Sequence, residues 1–270
     1  MFEAKKERLL HKIESFAEKD VCVAFSGGVD SSLLLKLAVD AARKKGTTVY
    51  AVTFETSLHP KADLGIAKQV AAQIGASHVV LEVNEFDDPG ILQNPVNRCY
   101  LCKKMLFTKL IDFAGKQGTD CVMEGTNADD LLVYRPGLQA VRELQVQSPL
   151  ADTAFTKEEV RRLAAEYEIT VSGRPSAPCL ATRIPYGTVL NPEVLERIDR
   201  GEMYLKTLGF AQVRIRQHGD ITRIEVPASQ FEEVVTQAES ICSSLEKLGF
   251  RYLTLDLKGF RSGSMDEYLN

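Results

Sequence analysis

Val21-Cys22-Val23-Ala24-Phe25 runs directly into Ser26-Gly27-Gly28-Val29-Asp30-Ser31-Ser32, and the helical pattern Leu33, Leu34, Leu35, Leu37, Ala38 follows at once. An apolar, β-branched run that ends in two glycines and resumes with helical periodicity predicts a strand, a tight loop and a helix N-terminus. Such a junction turns backbone N–H groups and the positive end of a helix dipole toward an anion, most often a phosphate. The loop holds no lysine, so it is not the Gly-x-x-x-x-Gly-Lys-Ser/Thr cradle. Ser26, Gly27, Gly28, Ser31 and Ser32 are the candidate donors to phosphate oxygens. Asp30 cannot favourably face a phosphate directly, and a bridging Mg²⁺ accounts for a carboxylate at that position.

Helical and strand periods alternate outward from this loop. A helix over about Lys5 to Glu18 precedes the strand Val21 to Phe25, and a helix over Ser31 to Lys45 follows it. Next come a strand near Thr48 to Phe54, a helix over about Lys61 to Ile74 and a strand near His78 to Val83. A helix from about Tyr100 to Gln117 leads to a strand over Asp120 to Glu124. Strands separated by helices of this length predict an α/β fold with a doubly wound parallel sheet, whose ligands bind beyond the carboxyl ends of the strands. Glu124-Gly125-Thr126-Asn127-Ala128-Asp129-Asp130 lies at such an end. Gly125 and Thr126 are expected to border the ligand and Asp130 to share the metal with Asp30, while Asp129 suits a helix N-terminus equally well. Arg135-Pro136-Gly137 reads as turn chemistry first.

Thr156 with Glu159 three residues on predicts a capped helix. The segment Gly173-Arg174-Pro175-Ser176-Ala177-Pro178 then breaks all periodicity. A helix over about Pro192 to Leu208, strands near Val213 to Arg216 and Arg223 to Val226, a helix over about Ser229 to Leu248 and a strand near Tyr252 to Leu257 complete the pattern. The expected division is a nucleotide-type domain over 1–185 and a second, smaller α/β domain over 186–270. With 44% hydrophobic and 26% charged residues, the composition is that of a soluble globular protein. The net charge of −4 argues against a large nucleic-acid footprint, and no run is long enough to cross a membrane. The charged N-terminus has no signal-peptide core, so a reducing, cytoplasmic location is expected and the six cysteines are not a disulfide framework.

Cys22 and Cys121 fall inside apolar strands, and Cys242 on the apolar side of a helix, where cysteine acts as a small hydrophobe. Cys99 and Cys102, in Arg98-Cys99-Tyr100-Leu101-Cys102-Lys103-Lys104, sit at a loop-to-helix junction among cations that favour thiolates. Cys179 sits in an irregular loop near Arg183. Three such thiols admit three readings. A zinc site ordinarily takes four ligands, or three with water; a redox CxxC needs no third cysteine; a [4Fe–4S] cluster on three thiolates leaves one iron open to sulfide. Arg214 and Arg216 alternate along one strand and so share a face suited to clamping a phosphate or carboxylate.

SGGVDSS resembles the PP-loop of ATP pyrophosphatases, which cleave ATP between its α- and β-phosphates. Together with RCYLCKK, EGTNADDLLVYRPG, SAPCLATRIPYG, VRIRQHGDITRIEVP and LGFRYLTLDLKGFRSGSM, it resembles the LarE family along nearly the whole chain. That resemblance implies an ATP-dependent sulfur transferase in nickel-pincer nucleotide biosynthesis, which adenylates a carboxylate of pyridinium-3,5-biscarboxylic acid mononucleotide and exchanges its oxygen for sulfur. The CxxC pair is similar to the three-cysteine branch, in which Cys99, Cys102 and Cys179 hold a [4Fe–4S] cluster that carries an extra sulfide. In single-cysteine members the residue matching Cys179 gives up its own sulfur. The resemblance further implies ATP and Mg²⁺ as cofactors, with sulfide or another sulfur donor supplying the incoming atom. By position it makes Arg214 and Arg216 substrate-phosphate ligands, joined by Arg183, and Glu202, Glu225 and Glu233 a divalent-metal set. A homo-oligomer is expected through the smaller domain. Two other readings use the same loop: a tRNA thiolase, and an amide-forming synthetase of the NAD- or GMP-synthase type.

Overall fold

A computed structural model describes residues 2–173, 178–261 and 263–264. In chain order its regular elements begin with α1 (Phe2–Phe16), β1 (Val21–Ala24), α2 (Val29–Lys45), β2 (Val49–Thr56), α3 (Lys61–Ile74) and β3 (Ser77–Val83). They continue with α4 (Pro89–Leu92), α5 (Arg98–Lys116), β4 (Val122–Met123), α6 (Gly137–Glu143), α7 (Pro149–Asp152) and α8 (Lys157–Glu166). The last are α9 (Pro192–Thr207), β5 (Arg214–His218), β6 (Ile221–Glu225), α10 (Phe231–Thr236), α11 (Ala238–Lys247) and β7 (Leu253–Leu255).

The chain forms two compact units. One comprises Met1–Thr56, Lys61–Glu85 and Asn97–Ser176; the other comprises Ser57–Pro60, Phe86–Val96 and Ala177–Asn270. The second unit therefore gathers two short earlier segments besides the C-terminal part. The unpatterned stretch at 174–177 lies outside the described residues.

The first unit is the expected α/β layer structure. Its four strands are all parallel in the order β3-β2-β1-β4. Strand periodicity divides β1 between two cores. Val21 and Val23 join Leu9, Ile13, Leu33, Leu34, Leu37, Val70, Ile74, Val160 and Leu163 of α1, α2, α3 and α8. Cys22 instead joins Val52 of β2, Phe107, Leu110 and Ala114 of α5, and Val141 of α6. Both faces are covered, which explains why these strands read as near-continuous apolar runs. The order reverses at β1, since β2 lies on one side and β4 on the other. A crevice beyond their carboxyl ends is the expected ligand position.

In the second unit β5 and β6 pair antiparallel and β7 adds parallel to β6. Gly201 of α9 lies against this sheet, where a Cβ would stand 2.6 Å from Ile215 Cδ1 and 2.9 Å from Phe250 Cε2. The expected single helix near Ser229 to Leu248 is two helices, α10 and α11, meeting at Gln237. Among the described residues no helix is long and apolar enough to cross a membrane.

Candidate active site

The glycine loop is held by its own hydroxyls. The Ser26 and Ser31 Oγ atoms lie 3.1 Å apart, Gly28 N donates to Ser26 Oγ at 3.3 Å, and Ser31 Oγ donates to Gly28 O at 3.2 Å. Ser32 is fully buried and its Oγ has no hydrogen-bond partner. Gly27 has φ +70°, and a Cβ there would stand 3.0 Å from Ala67 Cα, so α3 and the backbone twist both demand glycine. A Cβ on Gly125 would stand 2.9 Å from Ser31 N. The end of β4 thus touches the first turn of α2, bringing Gly125 to the glycine loop. Gly28 caps α2, and its extended conformation leaves the first-turn N–H groups facing outward from the helix end.

Asp30 is engaged on both oxygens. Asn127 Nδ2 donates to its Oδ1 at 3.0 Å, and Lys157 Nζ forms an ion pair with Oδ2. Lys157 opens α8, and its backbone N–H donates to Asp129 Oδ2 at 2.8 Å. The expected cap is present in full: Thr156 Oγ1 accepts from Glu159 N while the Glu159 carboxylate accepts from Thr156 N. Asp130 pairs with Arg135 at 2.7 Å and accepts from Asn127 N at 3.1 Å. The two carboxylates expected to bind Mg²⁺ are therefore adjacent through Asn127, each balanced by one cation. Lys157 and Asn127 were not among the residues singled out from sequence. The cap at Thr156 is the signal that would have placed a lysine at a helix start.

Glu124, at the end of β4, is 5% exposed. Its Oε2 pairs with Lys103 Nζ at 3.0 Å, and its Oε1 accepts from Ser148 Oγ at 2.6 Å and Thr126 N at 3.0 Å. Burial opposes the charge, but Lys103 and these donors together outweigh it and hold the carboxyl below its usual range.

Cys99 and Cys102 lie in the first two turns of α5, which begins two residues earlier than the expected helix, at Arg98. Both are half-buried. Arg98 Nη2 lies 3.7 Å from Cys99 Sγ, and Cys102 Sγ lies 3.8 Å from Glu85 Oε1. Lys104 turns outward to Tyr100 Oη and Glu143. Cys22 and Cys121 are inert by comparison, since burial pushes their thiols up to about 12 and about 11. Cys179 is half-buried and belongs to the second unit. Among the described residues, no three His, Cys, Asp or Glu side chains converge to hold a metal ion.

In the second unit Arg183, 1% exposed, is bonded to both Glu202 oxygens at 2.9 Å. Arg216 and Arg223 share Glu225 Oε1 at 2.6 and 3.0 Å, and Ser264 Oγ donates to the same oxygen at 3.3 Å. Arg214 Nη1 donates to Val213 O, and its guanidinium lies 5.2 Å from the Phe260 ring centroid. Burial, with the Arg183 charge next, pushes Arg214 down to about 10. Glu233 is exposed on α10 and accepts from Gln237. Glu202, Glu225 and Glu233 thus do not make one divalent-metal site. The first two neutralise arginines, although the buried Glu225 Oε2 keeps unused acceptor capacity. His218 is half-buried, and burial followed by Arg223 lowers its pKa.

The asparagine synthase family profile matches residues 12–172. An uncharacterised protein of Synechocystis is 38% identical, covering 100% of this chain and 99% of its own length. The pyridinium-3,5-bisthiocarboxylic acid mononucleotide synthase of Lactiplantibacillus plantarum is 37% identical over 92% of this chain and 90% of its own. A tRNA-specific 2-thiouridylase of Treponema denticola is 27% identical, over 70% of this chain and 61% of its own. The two relatives named by activity are both named for sulfur-containing products, a bisthiocarboxylic acid and a 2-thiouridine. The chain belongs to the LarE family of ATP-dependent sulfur transferases, within the asparagine synthase-type PP-loop proteins.

Proposed function

We propose that the protein converts pyridinium-3,5-biscarboxylic acid mononucleotide to a thiocarboxylate, through an acyl-adenylate. The observation that carries this reading is the pairing of a lysine-free glycine loop with accessible thiols: Cys99 and Cys102 in one unit, Cys179 in the other. A carboxylate oxygen is a poor leaving group. Attack of that oxygen on the α-phosphorus expels pyrophosphate and makes the oxygen part of AMP. A sulfur nucleophile then forms the C–S bond at the acyl carbon as the C–O bond to AMP breaks.

Ser26, Gly27, Gly28, Ser31 and Ser32 receive the pyrophosphate on N–H and O–H donors. Asp30 and Asp130 are the acids suited to Mg²⁺, which would neutralise charge on the departing group. Lys157 balances Asp30, and Mg²⁺ on that carboxylate would leave the Lys157 ammonium for the phosphates. Glu124 and Lys103 tie the end of β4 to the cysteine helix. Arg214 and Arg216 favour an anionic mononucleotide over a neutral acceptor.

Cys99, Cys102 and Cys179 supply the soft donors that a [4Fe–4S] cluster takes, and such a cluster would deliver sulfide repeatedly without consuming the chain. Cysteine sulfur at Cys179 is the alternative source. Reconstitution without oxygen separates the two. Binding of about four iron per chain that is lost in C99S and C102S, with Cys179 intact by mass spectrometry after several turnovers, supports cluster-borne sulfide. Dehydroalanine at Cys179 after one turnover, with no bound iron, overturns that part and leaves the adenylation reading standing.

A further inference from the structure

The second unit contains a side-chain network whose hydrogen bonds end on the backbone around Cys179. Arg183 closes the single helical turn Leu180–Arg183 and is fully buried. While Nε and Nη2 hold Glu202, Nη1 reaches Pro178 O at 2.9 Å, Cys179 O at 3.1 Å and Thr182 Oγ1 at 2.8 Å. Thr182 returns to the same place: its Oγ1 donates to Cys179 O at 2.8 Å and its N–H at 3.1 Å. The Cys179 carbonyl therefore accepts three donors. In the same peptide group, Leu180 N donates to Leu58 O at 2.7 Å.

The network is anchored in the sheet. Glu202 Oε1 also accepts from Ile215 N at 3.0 Å, which ties the Arg183 pair to β5. Arg216 Nη1 donates to Thr182 O at 2.6 Å while its Nε holds Glu225. Carbonyls 178, 179 and 182 are thus all fixed by guanidinium groups, each backed by a buried carboxylate.

A buried ion pair is poor evidence for stability, because desolvation offsets most of the attraction and an apolar pair of similar volume packs as well. What it does supply is a fixed backbone. The Cys179 side chain is half-buried and sits between two pinned peptide groups. We propose that Arg183, Glu202 and Thr182 are positioning residues that fix the backbone carrying the Cys179 sulfur for its part in transfer. This assigns Glu202 a role as counter-ion to Arg183 in place of metal ligation, and Arg183 a role on the protein's own loop in place of substrate phosphate. The assignment rests on the reading that Cys179 takes part in sulfur transfer.

The test separates the two half-reactions in T182V, T182S, E202Q and R183K, following pyrophosphate release for adenylation and thiocarboxylate mass for transfer. T182V is the informative variant should the buried pair be needed for folding, since it removes one hydroxyl at a half-buried position. The expected result is a transfer rate reduced about 10- to 100-fold with pyrophosphate release and KM for ATP little changed. T182S, which keeps the hydroxyl, restores most of the transfer. Loss of both half-reactions in proportion to the folded fraction would make the network merely structural and overturn the proposal. An increase confined to KM for the mononucleotide would return Arg183 to substrate binding and overturn it equally. Undiminished transfer in C179A would remove the reading beneath it, whatever the clamp variants do.

Discussion

Lys157 and Glu124 show how single side chains set the chemistry of the first unit. Lys157 reaches Asp30 from the start of α8, 127 residues away in sequence. Replacing it with Met removes a cation from beside the glycine loop without emptying a core position. We expect kcat/KM for ATP to fall about a hundredfold in K157M, with a melting curve close to that of the parent. Glu124 behaves differently because it is buried. Its folded pKa lies below the unfolded value, so its contribution is present in full above about pH 4.3 and is lost as pH falls through the folded value. E124Q is expected to be less stable than the parent at neutral pH, by about 2 kcal/mol. That gap should narrow as pH drops below about 4, and denaturant titrations along a pH series would read it. A gap that instead widened toward acid would contradict the assignment of Lys103 and its companion donors as the stabilising partners.

At the level of elements, the capping box at Thr156 does more than start a helix. It sets the register that puts Lys157 opposite Asp30, so T156A should cost about 1 kcal/mol and also raise KM for ATP several-fold. T156S, which keeps the oxygen, should show neither change. The strand-loop-helix at Val21–Ser32 was legible from sequence because three local signals agree there: β-branched apolar residues, two glycines and helical periodicity. The capped helix after Thr156 was legible for the same reason. The start of α5 was not. Arg98 is a charged residue with 1% exposure, and a charged residue ordinarily reads as surface or loop, so the helix was expected to begin two residues late, although Cys99 and Cys102 do lie at the loop-to-helix junction expected of them. The break between α10 and α11 also left no mark, since Gln237 is neither glycine nor proline. Arg214 and Arg216 were correctly placed on one strand. Their partners were not readable, because only folding sets Arg216 against Glu225 and the Thr182 carbonyl and Arg214 over the Phe260 ring.

Across the whole molecule, two compact units divide the candidate chemistry. The first carries the glycine loop, Asp30, Asp130, Lys157 and the Cys99/Cys102 turn; the second carries Cys179 and the buried arginine–glutamate network. Sequence periodicity marks the succession of elements but not the return of 57–60 and 86–96 to the C-terminal unit, because those segments are too short to carry a period of their own. The net charge of −4 supports the proposed small acceptor over a long nucleic-acid track. Purified protein given ATP, Mg²⁺ and a sulfide source, with the acceptor varied, tests that account most directly. Pyrophosphate release should depend on pyridinium-3,5-biscarboxylic acid mononucleotide and be abolished in D30A, and the product should carry sulfur in place of a carboxylate oxygen. Pyrophosphate release that answers to tRNA, or to ammonia with formation of an amide, while the mononucleotide remains unchanged, would contradict it.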